Sequence, residues 1–104
     1  MSEGIDYRLL KSSAECRSAD EFLEKQASLS DCAEACRNVT ISGGCNFFVY
    51  YGKEGKRKGW CWWEKTDNAE CPEGWKDHDY DFYELIRKSL VKILFRHIVL
   101  SKCY

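Results

Sequence analysis

Apolar and polar residues alternate along this chain in short segments, some with the period of a helix and some with that of a strand. Tyr7 to Leu10 reads as a short strand. Ser12 to Ser18 is polar, contains Cys16 and reads as loop. Asp20 to Lys25 reads as a helical turn around Phe22 and Leu23. The clearest helix opens at Ser28, an N-cap with Asp31 at the third helical position, a capping box with Asp in the usual place of Glu. Cys32 and Cys36 then lie four apart, which puts both thiols on one helical face. Ala33 and Ala35 favour the helix, and Asn38 to Gly44 ends it and turns the chain.

The second half is richer in strand signals. Cys45 to Tyr51 is aromatic and β-branched and reads as a buried strand. Gly52 to Gly59 is a polar hairpin loop, and Trp60 to Glu64 is the returning strand. Thr66 to His78 reads as loop, and Tyr80 to Leu85 as a last strand able to pair with Tyr7 to Leu10. Strand alternation places Cys45, Phe47, Val49 and Tyr51 on one face of the first hairpin strand and Asn46, Phe48 and Tyr50 on the other. In the returning strand, Cys61 and Trp63 share one face, and Trp60, Trp62 and Glu64 share the other.

Length and composition narrow the class. The chain has 104 residues, enough for one domain, and Pro72 is its one proline. Aromatics make up 14 % of it, a density that helps a small domain bury enough surface. Charge is split along the chain. Residues 1–85 carry 17 acids against 11 Lys and Arg, whereas Arg87, Lys88, Lys92, Arg96 and Lys102 stand in residues 86–104 without an acid. This predicts a domain over residues 1–85 and a separate basic, apolar tail over 86–104. An acidic body argues against nucleic acid as a partner.

Six cysteines lie at 16, 32, 36, 45, 61 and 71, with a seventh at 103. So many in so short a domain point to disulfides and an oxidising compartment. A zinc site is the rival reading, but zinc ligands usually come in Cys-x-x-Cys pairs, and none occurs. The same lack argues against a redox-active cysteine pair. Spacing alone does not choose among the connectivities. The beginning of the chain lacks the basic start and apolar run of a signal peptide. The expectation is therefore a piece of a longer secreted protein or a gene start assigned too late.

Three segments together carry a resemblance: Ser28 to Cys36 with its capped cysteine pair, Gly44 to Tyr50, and Gly59 to Glu64, followed by the Tyr-x-Phe-Tyr-x-Leu strand that ends at Leu85. The chain resembles the PAN/apple domain family from about Tyr7 to Leu85; the tail has no counterpart there. The resemblance implies an α+β fold, with one short helix on a twisted antiparallel β-sheet. It also implies three disulfides: Cys36–Cys45 and Cys32–Cys61 pinning the helix to the central strands, and Cys16–Cys71 joining the ends. The closed loops span roughly 10, 30 and 56 residues, and each alone would stabilise by about 3–4 kcal/mol. Family members include binders of saccharides and binders of proteins, so the resemblance does not choose a ligand.

If Cys45 bonds to the helix, the sheet face away from the helix presents Phe48, Tyr50, Trp60 and Trp62. Such an aromatic platform suits sugar rings or a protein partner. The alternative is a second, minor core under the segment from Asp67 to Tyr80, where Trp75 packs. The hairpin tip with Lys53, Lys56, Arg57 and Lys58 is basic and suits sulfated glycans, acidic lipids or an acidic partner; the plainer reading is a solvated loop. Asp77, Asp79 and Asp81 invite a calcium reading but lack the Gly and Glu of an EF-hand loop. Asn38 heads an N-glycosylation triplet with Thr40.

Catalysis finds little support. His78 and His97 are the two histidines, with no nucleophile motif or glycine-rich phosphate loop beside them. In the tail, Leu90, Ile93, Leu94, His97 and Leu100 or Ser101 line one helical face, a pattern that suits weak contact with an anionic membrane surface or a docking partner. The alternatives are an element packed back on the domain or read-through sequence without function. Cys103 is then an unpaired thiol or an intermolecular link. These signs add up to a non-catalytic extracellular recognition module that binds carbohydrate through Tyr50, Lys53, Lys56, Arg57, Lys58, Trp60 and Trp62. Protein–protein interaction within a larger secreted or cell-surface protein is the alternative, and no cofactor or metal is expected.

Overall fold

A computed structural model describes residues 6–87. The tail readings, Cys103 among them, lie outside the described residues. Eight elements follow one another: β1 (Asp6–Lys11), β2 (Ala14–Cys16), β3 (Asp20–Lys25), α1 (Leu29–Arg37), β4 (Phe47–Tyr50), β5 (Trp60–Glu64), β6 (Trp75–Asp77) and β7 (Asp81–Ile86). Five strands form one antiparallel sheet in the order β1-β7-β4-β5-β3, and β2 pairs with β6 in a second, small sheet. The fold is thus α+β, with one short helix, antiparallel sheets and three disulfides.

The helix begins where the sequence says. Ser28 is extended, and its hydroxyl accepts the Asp31 backbone N–H at 3.1 Å. An Ncap hydroxyl of this kind stabilises a helix by about 1 kcal/mol. Cys32, Ala33 and Cys36 are buried and turn the helix toward the sheet. The disulfides join Cys36 to Cys45, Cys32 to Cys61 and Cys16 to Cys71, the same three pairs that the resemblance implies. All six sulfurs are therefore spent on disulfides, and the zinc reading falls away.

The sheet separates two clusters. Toward the helix lie Cys32, Ala33, Cys36, Cys45, Phe48, Cys61, Trp63 and Leu85. On the other face lie Cys16, Phe47, Val49, Cys71, Tyr80 and Phe82, with Trp60, Trp62 and Trp75 packed against them. This corrects the alternation read from the sequence. Phe48 and Tyr50 face the helix, and Phe47, Val49 and Tyr51 face away. The reason is local: the strand begins at Phe47, and Cys45 and Asn46 belong to the turn before it, so counting sides from Cys45 inverts the rest. The register agrees, since Phe48 pairs with Trp63 and Tyr50 with Cys61, both in the helix-side row of β5.

Three further elements depart from the sequence reading. Asp20–Lys25 is a strand at the sheet edge, not a helical turn. It pairs with β5 through Phe22 and Trp62, then bulges before Lys25, where Glu24 takes a positive φ of 73°. Phe22 and Leu23 serve opposite faces of the strand, Leu23 toward the helix and Phe22 toward Trp62, and the bulge after them breaks the period. Segments read as loop, Ser12 to Ser18 and Thr66 to His78, contain the short strands β2 and β6. Trp75 packs there edge-on to Phe82, with ring centroids 4.9 Å apart. The last strand pairs with the first, as the sequence suggests, and continues through Ile86, one residue into the segment read as tail.

Candidate recognition face

The hairpin between β4 and β5 sets the position of the candidate residues. Its neck closes through Gly59, whose N–H donates to the Tyr51 carbonyl at 2.8 Å and whose carbonyl accepts from Gln26 at 2.7 Å. Gly59 has a φ of +89°, and a Cβ placed there would stand 2.7 Å from the Gln26 carbonyl oxygen. Glycine is thus required both by conformation and by space. The tip turns through Lys58 N–H to Gly55 at 3.1 Å and Trp60 N–H to Arg57 at 2.9 Å.

From that neck Trp60 and Trp62 project onto the face away from the helix. Phe22, 36 % exposed on the neighbouring edge strand, meets both, with ring centroids 5.7 Å from Trp60 and 4.8 Å from Trp62. The Arg57 guanidinium lies over Trp60 at 5.9 Å, within cation–π range. Trp62 is anchored from beneath: its indole Nε1–H donates to the Tyr80 hydroxyl at 3.0 Å. Burial raises the Tyr80 hydroxyl's pKa, and the Trp62 hydrogen bond partly offsets this. Both indoles are half-buried, so this face is at once the upper layer of the second core and an aromatic surface.

Tyr50 does not join it. Its ring lies on the helix side, and its hydroxyl donates to the Gln26 carbonyl at 3.3 Å. Phe48 is wholly buried there. Phe22 takes their place on the aromatic face. It was legible only as an apolar residue in a supposed helical turn, and nothing local marks it as a neighbour of Trp62.

The basic tip is partly neutralised. Lys58 pairs with Glu54 at 2.7 Å, which raises its pKa, and Lys53 reaches Asp79 at 3.5 Å. Among the described residues the Lys56 side chain has neither an ion pair nor a hydrogen bond, and the Arg57 side chain meets the Trp60 ring without an ion pair. The cations available to an anionic ligand are therefore Lys56 and Arg57, the second at the aromatic face.

The Asp77–Asp81 carboxylates do not converge: Asp79 takes Lys53, and Asp81 accepts the Ser13 backbone N–H at 2.9 Å. A different acidic group does. Glu64, at the far end of β5, is wholly buried. Burial first, then the nearby Asp20, Glu15 and Glu73, push its carboxyl up to about 8, against a lowering hydrogen bond from Ser18 at 2.9 Å. Burial and Glu15 raise Asp20 as well. Asn38, the sequon residue, is exposed at the C-terminal cap of the helix, and Thr40 is exposed beside it. No helix among the described residues is long and apolar enough to cross a membrane. Comparison with family models, curated proteins and solved structures gives no match.

Proposed function

We propose that this is a PAN/apple-like, non-catalytic extracellular recognition module that binds carbohydrate on the face formed by Phe22, Trp60 and Trp62 with Arg57. One observation carries the reading: two half-buried indoles and an exposed phenyl share one face of the sheet edge, with a guanidinium over Trp60. Indole faces stack on the C–H faces of sugar rings, and they lose little side-chain entropy in doing so. Arg57 and Lys56 add affinity for sulfate or carboxylate groups on the sugar. Three disulfides in so small a domain support an oxidising, extracellular setting.

The test is a glycan array on the oxidised chain at low and high salt, followed by titrations read from tryptophan fluorescence. Binding is expected to fall at least about tenfold in Trp60→Ala, with far-ultraviolet circular dichroism and thermal midpoint retained, because the hydrogen bond that ties an indole to the core belongs to Trp62. Salt-sensitive binding that also falls in Arg57→Ala assigns sulfated ligands. Salt-insensitive binding assigns neutral sugars. A blank array on the folded chain rejects the reading.

One observation favours the second reading, a protein partner. β3 is an edge strand of the large sheet, its residues are mostly exposed, and Phe22 projects from it. Unpaired edge groups are a natural template for an added strand.

A further inference from the structure

Glu15, Asp20 and Glu64 come from three different strands, β2, β3 and β5, yet one carboxylate oxygen from each lies within 4.8 Å of the others. Two oxygens bound to one calcium ion, each at about 2.3–2.6 Å, stand at most about 5 Å apart. The three carboxylates are therefore already close enough to share one such ion.

Glu64 supplies the independent observation. Its side chain has no exposure to solvent, Ser18 donates to one carboxylate oxygen, and the other, Oε2, has no hydrogen-bond partner among the described residues. A buried polar oxygen left without a donor is costly, and native proteins satisfy nearly all of them. The nearby basic side chains do not reach it. Lys76 and His78 turn to Glu15 at 3.5 and 3.9 Å, and Lys65 turns to Glu21 at 3.2 Å. The site is also held in place: Asp20 and Glu64 are direct cross-strand partners, and β2 is fastened by the Cys16–Cys71 disulfide.

We propose that Glu15, Asp20 and Glu64, with the Ser18 hydroxyl, bind a calcium ion at the end of the β3–β5 pair. All four donors are hard oxygens, which disfavours zinc and copper. Calcium's flexible coordination accommodates carboxylates fixed by three separate strands more readily than magnesium, which demands near-ideal octahedral geometry. Asp20 is exposed, so the outer coordination positions open to water. An affinity in the range of about 0.1–1 mM, typical of extracellular calcium modules, is sufficient outside the cell. The site lies one side-chain step along the strands from Phe22 and Trp62, on the same sheet face, but it does not depend on the sugar-binding reading.

The test uses the oxidised full chain stripped with a chelator. Terbium stands in for calcium, and its luminescence is excited through the tryptophans near Glu64. The expected result is a terbium signal displaced by calcium and not by equal magnesium, with a rise in thermal midpoint at about 5 mM calcium. Asp20→Asn is expected to weaken calcium binding by about tenfold or more while the chain stays folded, and Glu64→Gln to do the same; Asp67→Asn, an exposed acid elsewhere, leaves it unchanged. No terbium signal in the wild type overturns the proposal. So does a signal or midpoint shift that survives in the Asp20→Asn and Glu64→Gln variants, because binding would then lie elsewhere.

Discussion

Replacing Cys16 and Cys71 together by alanine loosens one side of this domain and spares the other. The bridge spans 55 positions of sequence, and an isolated loop of that length is worth about 4 kcal/mol in restricted unfolded chain. It is not isolated. With Cys32–Cys61 intact, the unfolded chain already has a shortcut from Cys32 to Cys61, so the loop that Cys16–Cys71 closes is effectively about 28 residues. The same relation then gives about 3.5 kcal/mol. Both sulfurs are buried against Phe47, Val49, Tyr80 and Phe82, and removing them adds about 1–2 kcal/mol in lost packing. The expected loss is thus about 5 kcal/mol, a large share of the stability of a small domain. Urea unfolding followed by tryptophan fluorescence measures the total. Amide hydrogen exchange locates it, with protection falling first in Ala14–Cys16 and Trp75–Asp77 while Phe47–Tyr50 and Trp60–Glu64 hold. A total loss under about 1 kcal/mol, or exchange in β4 and β5 as early as in β2 and β6, refutes the reasoning.

Two further outcomes follow from single residues. Gly59→Ala is expected to cost about 2–3 kcal/mol in denaturant unfolding, because it combines a left-handed φ with a clash against the Gln26 carbonyl; Gly55→Ala, with a φ of +130° but nothing within 4 Å, is expected to cost only about 1 kcal/mol. In calcium-free buffer the folded Glu64 keeps its proton up to about pH 8, whereas the unfolded chain releases it near 4.5, so Glu64 makes stability fall as pH rises between those values and level off above them. Glu64→Gln removes this fall; its gain over the wild type is expected to grow from near zero at the acid end to roughly 4–5 kcal/mol at the alkaline end, and parallel stability curves would count against it.

Much of this fold was legible because its signals are local or covalent. The Ser28 cap, the Cys32–Cys36 spacing and the polar Gly52–Gly59 segment each announce an element within a few residues. The pairing of the first and last strands was legible from the shared apolar character of Tyr7–Leu10 and Tyr80–Leu85. What stayed hidden depends on small backbone irregularities. The β3 bulge at Glu24 hides a strand period, and the turn at Cys45 and Asn46 inverts the faces of β4. That inversion moved Tyr50 off the aromatic face and left a place that Phe22 fills. The convergence of Glu15, Asp20 and Glu64 was hidden for another reason: the three carboxylates lie up to 49 positions apart, and tertiary pairing alone unites them.

The pairing of Asp6 with Ile86 has a mechanical consequence. Tension applied at these two neighbouring points does not shear the β1–β7 ladder; it opens it like a zipper, one backbone hydrogen bond after another, at modest force. The opening then stops at a covalent latch. Once β1 has left β7, β7 has left β4 and the short β2–β6 pair has opened, the pull arrives at Cys16 and Cys71, and the bridge between them carries it past everything in between. About 25 residues are released, which lengthens the chain by at most ~90 Å. The helix and the hairpin that carries Trp60 and Trp62 lie behind the latch, outside the path of the load, whereas Tyr80 and Phe82, on which the indoles rest, lie on the released side. The domain is built to yield a short, fixed length of slack and then hold.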